Sequence, residues 1–108
     1  MDIDDETQKK IQELQIAEQN INNLLMQKQA FQVELAEVEN AIHEISNSND
    51  EIYKLIGNIM IKTNKKKTED DLKRKKDIID LRLKSIEREE KNMTENAEEL
   101  KKEIMSKI

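Results

Sequence analysis

Apolar residues recur at alternating steps of three and four along two long segments of the chain. The first stripe comprises Leu14, Ala17, Ile21, Leu24, Lys28, Phe31, Leu35, Val38, Ile42 and Ile45, and nine of these ten residues are apolar. The second stripe comprises Leu72, Lys76, Ile79, Leu83, Ile86, Glu90, Met93, Ala97, Leu100 and Ile104, of which eight are apolar. Residues with this spacing share one face of a helix, and that face must be buried against a partner helix. The pattern therefore predicts two long coiled-coil helices.

The connection between the two stripes is short, which favours an antiparallel helical hairpin. We predict one domain over residues 1–108, with helices over 1–48 and 68–107 and a β-hairpin over 51–63. The first helix should end in the Ser- and Asn-rich run 46–50, because these side chains compete for backbone hydrogen bonds. Thr68 is the predicted N-cap of the second helix, with Glu69, Asp70 and Asp71 in its first turn. The fold class is thus mainly α.

The segment between the helices has strand character. It contains the only Gly and the only Tyr of the chain. In strand geometry both faces of the predicted hairpin are largely apolar. Gly57 and Asn58 should form the turn, since both tolerate positive φ. Two readings remain open: other subunits cover the hairpin, or it is a small cap on its own coiled coil.

Apolar residues near the two termini do not follow the stripes. Ile11 and Ile16 lie outside the first stripe, and Met105 and Ile108 lie outside the second. The sequence predicts that the stripes weaken towards these ends, so that apolar side chains face outward. This arrangement indicates either frayed helix ends or an exposed apolar surface that binds other proteins.

Composition narrows the class of protein. Of the 108 residues, 40% are charged and only 2% are aromatic, which disfavours a thick globular core. The chain has no Cys and therefore no disulfide. No apolar run approaches the ~20 residues that cross a bilayer, and the acidic N-terminus has no secretory-signal pattern. We therefore expect a soluble cytoplasmic protein with no membrane partner.

Neither the charge distribution nor the residue types indicate a nucleic-acid site or a catalytic site. Residues 62–88 carry 11 basic and 6 acidic side chains, a net charge of +5. A nucleic-acid site is disfavoured there, because carboxylates are interleaved with the lysines and no aromatic residue could stack on a base. His43 is the only histidine, and a single glycine cannot form a phosphate-binding loop. We expect no enzyme activity, no metal site and no cofactor.

Three segments together resemble the β-type subunits of the prefoldin family. They are Gln27-Lys28-Gln29, the hairpin run from Ile52 to Lys62, and the second-helix run from Leu81 to Glu90. The resemblance covers roughly residues 11–108 in the correct order. A single hairpin, in place of two, points to the β class rather than the α class.

The resemblance implies an ATP-independent chaperone. It implies a heterohexamer of two prefoldin α-type and four β-type subunits, which captures unfolded polypeptides and delivers them to a group II chaperonin. The hairpin residues that would build β-barrels between subunits are Ile52, Tyr53, Leu55, Ile56, Gly57, Ile59, Met60 and Ile61. The tip residues that would contact clients, chosen for their apolar character, are Ile3, Ile11, Ile16, Leu100, Ile104, Met105 and Ile108.

Two other functions are compatible with the same pattern. One is a structural coiled-coil adaptor that binds one defined partner; such a protein would not need exposed apolar tips. The other is a helical hairpin that binds nucleic acid through residues 62–76. Salt dependence separates the latter from apolar client capture, because affinity for nucleic acid falls steeply as salt rises.

Overall fold

The computed structural model describes residues 3–49 and 51–108. The elements follow in the order α1 (Asp5–Ser46), β1 (Ile52–Ile56), β2 (Ile59–Thr63) and α2 (Lys65–Lys107). The two strands form one antiparallel sheet. The predicted fold class, two long helices joined through a β-hairpin, is confirmed at the level of one chain.

Asp4 is the N-cap of helix α1. The Asp4 carboxylate accepts a hydrogen bond from the Thr7 backbone N–H at 2.7 Å. This contact satisfies one of the N–H groups that an α-helix leaves unpaired at its start. The bond from Thr7, together with the positive charges of Lys107 and Lys10, lowers the pKa of Asp4. The helix therefore starts at Asp5, later than predicted, and it ends at Ser46.

Helix α2 begins at Lys65, three residues before its predicted start at residue 68. The predicted N-cap, Thr68, is wrong. The Asn64 side-chain oxygen accepts a hydrogen bond from the Lys67 N–H at 3.1 Å, so that Asn64 is the N-cap. Asn is at least as good an N-cap as Thr. The Thr68 hydroxyl instead lies 3.2 Å from the Thr63 hydroxyl and links the helix to β2. The acidic run 69–71 consequently falls outside the first turn.

The chain divides into two compact units. One comprises the residues up to Ala30 together with Lys84–Ile108, and the other comprises Phe31–Leu83. In the first unit the best-buried side chains are Leu24, Ile86, Ala97, Ile104 and Thr7; in the second they are Val38 and Ile79. Each unit thus has a narrow core between its two helical segments.

The stripes account for this core. All twenty stripe positions are buried or half-buried. Cross-helix ion pairs border them and run antiparallel, with Lys10–Glu103, Glu18–Lys101 and Lys28–Glu90 in one unit. In the other unit Glu34–Lys75 and Glu39–Lys76 also cross between the helices. The predicted coiled-coil pairing is therefore present in both units.

Candidate interaction surfaces

The β-hairpin is built around a two-residue turn. Ile56 and Ile59 are paired across the strands, and Gly57 and Asn58 connect them. Gly57 has φ of +60°, whereas no residue other than glycine among those described has positive φ. The predicted turn at Gly57 and Asn58 is therefore confirmed, and only Gly57 uses the positive φ that both residues tolerate. A glycine at the first central position with an ordinary second residue is typical of a type II′ turn, which matches the twist of the strands.

Register sorts the hairpin side chains onto two faces. Directly paired residues point to the same side of a sheet. The pairs Ile52–Thr63, Lys54–Ile61 and Ile56–Ile59 therefore form one face, which carries most of the isoleucines. The pairs Tyr53–Lys62 and Leu55–Met60 form the other. Both faces present apolar side chains, as the sequence predicts.

Neither face is covered by the other residues that the structure describes. Tyr53, Leu55, Ile56, Ile59, Met60 and Ile61 are between 47% and 69% exposed, and only Ile52 is half-buried among the large hairpin residues. Both strands are also edge strands, because the sheet has just two. Edges of this kind offer free backbone groups to a further strand. The reading of the hairpin as a cap packed on its own coiled coil does not agree with this exposure.

Glu51, Tyr53 and Lys62 form a polar cluster on one face of the hairpin. Glu51 accepts hydrogen bonds from the Lys62 ammonium at 2.9 Å and from the Tyr53 hydroxyl at 2.8 Å. Both hydrogen bonds lower the pKa of the Glu51 carboxyl, and the bond from Lys62 has the larger effect. The bond to Glu51 raises the pKa of Tyr53. Sequence analysis overlooked Glu51, although its position two residues before Tyr53 places both on one face of an extended chain.

A cleft of about 470 Å³ opens at the base of the hairpin. Its apolar lining joins Ile45 and Leu72, at the ends of the stripes, to Ile52. Lys54, Lys67 and Lys75 stand at its rim with Asp71. The apolar hairpin face that carries Ile52 is thus continuous with the end of the coiled coil in this unit.

The tip residues separate into exposed and covered groups. Ile3, Ile16, Met105 and Ile108 are exposed. Ile11 and Leu100 are half-buried. Ile104 is only 7% exposed, which agrees with its place in the second stripe but not with its choice as a residue that contacts clients. It occupies the second stripe, and a stripe position is covered by the facing helix.

The predicted weakening of the stripes near the termini is also wrong. Thr7, on the extension of the first stripe, is almost completely buried. The Lys10 ammonium reaches Glu103 of α2 at 3.2 Å and Glu6 at 3.8 Å. The contact with Glu103 raises the pKa of Lys10. A threonine methyl and a lysine stem extend the stripe as apolar groups would, because their polar ends find partners at its border.

Half of the eight basic side chains in segment 62–76 form ion pairs with carboxylates. Lys62 pairs with Glu51, and Arg74 pairs with Asp71 at 2.7 Å. Lys75 and Lys76 pair with Glu34 and Glu39 of α1. This arrangement favours a charged helix surface over a phosphate-binding one.

The described residues offer no catalytic arrangement. Among residues 3–49 and 51–108, no group of His, Cys, Asp and Glu side chains could hold a metal ion. His43 is exposed, and its Nε2 lies 3.2 Å from the Asn47 side-chain amide. In the same part of the chain, neither helix has an apolar stretch long enough to cross a membrane. The prominent features are therefore surfaces: the hairpin and the exposed tip residues.

Comparison with known proteins agrees with these surfaces. Residues 8–108 match the family described as prefoldin subunit. The prefoldin subunit beta of Thermococcus kodakarensis is 35% identical over 98 residues, which span 89% of this chain and 84% of that protein. The corresponding protein of Pyrococcus furiosus is 32% identical over the same shares of both chains.

A solved structure shows the same fold. The crystal structure of the prefoldin beta subunit from Thermococcus strain KS-1 superposes with a TM-score of 0.89 and is 33% identical. The match covers 97% of this chain and 94% of that one. The chain belongs to the prefoldin subunit family, and it is therefore a component of a chaperone and not an enzyme.

Proposed function

We propose that this chain is the β-type subunit of an ATP-independent holdase. Prefoldin subunits form hetero-oligomers with one another, and in this proposal two α-type subunits and four copies of this chain form a cytoplasmic hexamer. The complex captures unfolded polypeptides and passes them to a group II chaperonin. The observation that carries the proposal is the exposed two-faced hairpin, which a folded chain gains nothing by exposing unless other subunits cover it.

Assembly is assigned to the hairpin residues. Six large side chains are about half or more exposed on a sheet with two open edges. Strands from neighbouring subunits can pair with such edges and bury both faces at once, as closure into a barrel does. The base cleft extends the apolar surface as far as Ile45 and Leu72. These contacts support assembly into β-barrels between subunits.

Client capture is assigned to the exposed tip residues. Ile3, Ile16, Met105 and Ile108 present separate apolar groups on a surface rich in charge. Each contact is weak alone, but several copies in one complex bind an irregular apolar chain by multivalency. Met105 adapts well to varied partners because its side chain is unbranched and polarisable. Weak contacts also allow release without nucleotide hydrolysis. The buried Ile104 has no part in this proposal.

The test compares two matched double variants in the assembled complex. Ile16→Ser with Met105→Ser removes tip groups that are 61% and 72% exposed. Met26→Ser with Leu81→Ser removes helix groups away from the termini that are 62% and 67% exposed. We expect the tip variant to lose most suppression of aggregation of chemically denatured rhodanese, and the control to retain it. ATP should change neither result.

Two further readouts test the finer parts of the proposal. Light scattering of a mixture with an α-type subunit should give the mass of a two-to-four complex. Captured rhodanese should refold when a group II chaperonin and ATP are added. Equal aggregation suppression by the two double variants would contradict capture at the tips and favour a structural adaptor instead.

A further inference from the structure

Lys28 and Glu90 are charged residues at positions where their neighbours are apolar. Their charged groups lie 3.2 Å apart, and the side chains are only 24% and 27% exposed. Leu24 and Ile86, one turn away along the respective stripes, are buried. The Lys28 ammonium thus contacts the opposite helix. Each charge is unfavourable in such a place by itself and acceptable only beside the other.

Two more ion pairs cross between the helices in the same unit. Lys10 lies 3.2 Å from Glu103, and Glu18 lies 3.7 Å from Lys101. With Lys28–Glu90 they give α1 the signs plus, minus, plus at residues 10, 18 and 28. Their α2 partners carry minus, plus, minus. All three pairs bring opposite charges together across the helices.

Over these three pairs the order of signs on each helix reads the same in both directions. If two copies of α1 paired side by side in parallel, each charge would meet its own counterpart. If they paired antiparallel, Lys10 would approach Lys28 and Glu18 would approach Glu18, because the spacings of eight and ten residues are nearly equal. Like charges would meet in either direction. For α2 the spacings are eleven and two residues, so that parallel pairing brings like charges together at all three positions, whereas antiparallel pairing does so only for Glu90 and Glu103.

The apolar stripes alone do not exclude such pairings. A heptad stripe buries equally well against any other heptad stripe, so that specificity in coiled coils comes from charged and polar positions. Lys28 and Glu90 should dominate here, since the flanking pair Glu18–Lys101 is more than half exposed and solvent weakens it. Pairing α1 with another α1 would leave two lysine charges together inside a stripe.

We propose that Lys28–Glu90, reinforced by the two flanking pairs, is a specificity determinant that rejects like-with-like helix pairing between copies of this chain. In the assembly proposed above several copies share one complex, so that unpaired stripes of neighbouring chains would otherwise compete during folding. The benefit of this specificity to the assembly rests on the proposed function, but helix pairing itself is measured on the single subunit. A failure of client capture would leave the inference standing.

The first experiment tests whether the charges act across the helices. Lys28→Glu and Glu90→Lys each place like charges together, and each should lower the thermal midpoint of the helices by about 10 °C. The double exchange, Lys28→Glu with Glu90→Lys, restores opposite charges and should recover at least half of that loss in circular dichroism melts. A double exchange that melts as low as the single variants would overturn the inference.

The second experiment tests specificity separately from stability. Lys28→Leu with Glu90→Leu makes both stripes continuous at this level. Replacing a well-placed buried ion pair by apolar residues is often neutral or stabilising, so this variant should stay folded. Ile59→Asp is added to it and to the reference chain, which removes association through the hairpin from both. We expect the leucine variant to gain at least twofold in weight-average mass by light scattering as concentration rises.

The reference chain should stay at constant mass over the same concentrations. Equal masses for the leucine variant and the reference would overturn the inference, because the charges would then add nothing to the choice of partner. A third series in high salt checks the electrostatic origin. Salt should weaken the exposed flanking pairs more than Lys28–Glu90, so that the mass difference persists.

Discussion

The helical stripes and the β-hairpin are both rich in apolar side chains, but they differ in how far the chain itself covers them. Both expose many apolar side chains when unpaired. The stripes were predicted from their helical spacing, and the hairpin was predicted from strand-type residues around a single glycine. The stripes are covered within the chain, down to 2% exposure at Ile79, whereas the hairpin faces remain open. A chain that folds back on itself can cover a helix stripe, but it has no second layer to cover both faces of a two-stranded sheet. The stripes therefore need no other chain, and in the proposed assembly other subunits cover the hairpin.

Ile59→Asp should break this comparison most severely. In the proposed assembly Ile59 is covered by neighbouring subunits, and an unpaired carboxylate there would be strongly unfavourable. We expect complete loss of the complex with an α-type subunit by light scattering, with helix content unchanged. Leu81→Asp, at a similarly exposed residue on α2, is the matched control and should assemble normally. Intact assembly of the Ile59→Asp variant would remove the hairpin from its proposed role.

Ile79→Ala should show the opposite behaviour. Ile79 is the best-buried apolar residue of the described chain, and removal of its buried methyl groups should cost about 3 kcal/mol of unfolding free energy. Leu81→Ala, two residues further along the same helix but exposed, should change it by no more than about 0.5 kcal/mol. Urea unfolding followed by circular dichroism measures both. Similar losses in the two variants would mean that α2 does not bury the stripe assigned here.

Gly57→Ala should have an intermediate effect confined to the hairpin. No atom lies within 4 Å of the position that a Cβ would take, so that the cost arises from φ of +60° alone. A residue other than glycine pays about 1 kcal/mol for this conformation. We expect assembly with an α-type subunit to weaken about fivefold, a change that titration calorimetry resolves. Gly57→Asn should recover part of the loss because Asn tolerates positive φ better, and no difference between Ala and Asn would argue against this turn.

Acidification should produce the smallest effect. Hydrogen bonds from Lys62 and Tyr53 hold the pKa of Glu51 below its ordinary value of 4.5. The stabilisation is therefore fully present above pH 4.5 and is lost as the pH falls through the lowered value. Because the group is exposed, hairpin-dependent association should weaken by no more than about threefold. Glu51→Gln should remove this part of the pH dependence, and an unchanged pH profile in that variant would exclude the cluster as its source.

The stripes could be predicted almost completely because helix periodicity is a local property. Once Leu24, Val38 and Ile86 lie on one face, burial against another helix follows from the hydrophobic effect. The hairpin was equally legible, since strand-type residues flank a single glycine. Its assembly role stays a prediction, because the described structure contains one chain.

The helix boundaries were harder to predict from the sequence. Thr68 and Asn64 are both acceptable N-caps, and the choice depends on the point at which β2 releases the chain. Hydrogen bonding of Thr68 to Thr63 fixes that point. The same limitation affected Asn58, whose tolerance for positive φ does not mean that the turn uses it.

The sequence by itself determined the two stripes and the position of the hairpin, because periodicity acts over a few neighbours. Only the tertiary structure decided which apolar groups are available to a partner. Ile104 and Met105 are adjacent and equally apolar, yet the facing helix covers one and leaves the other 72% exposed. It also decided that Lys28 meets Glu90, a pairing between residues 62 positions apart that no local pattern contains.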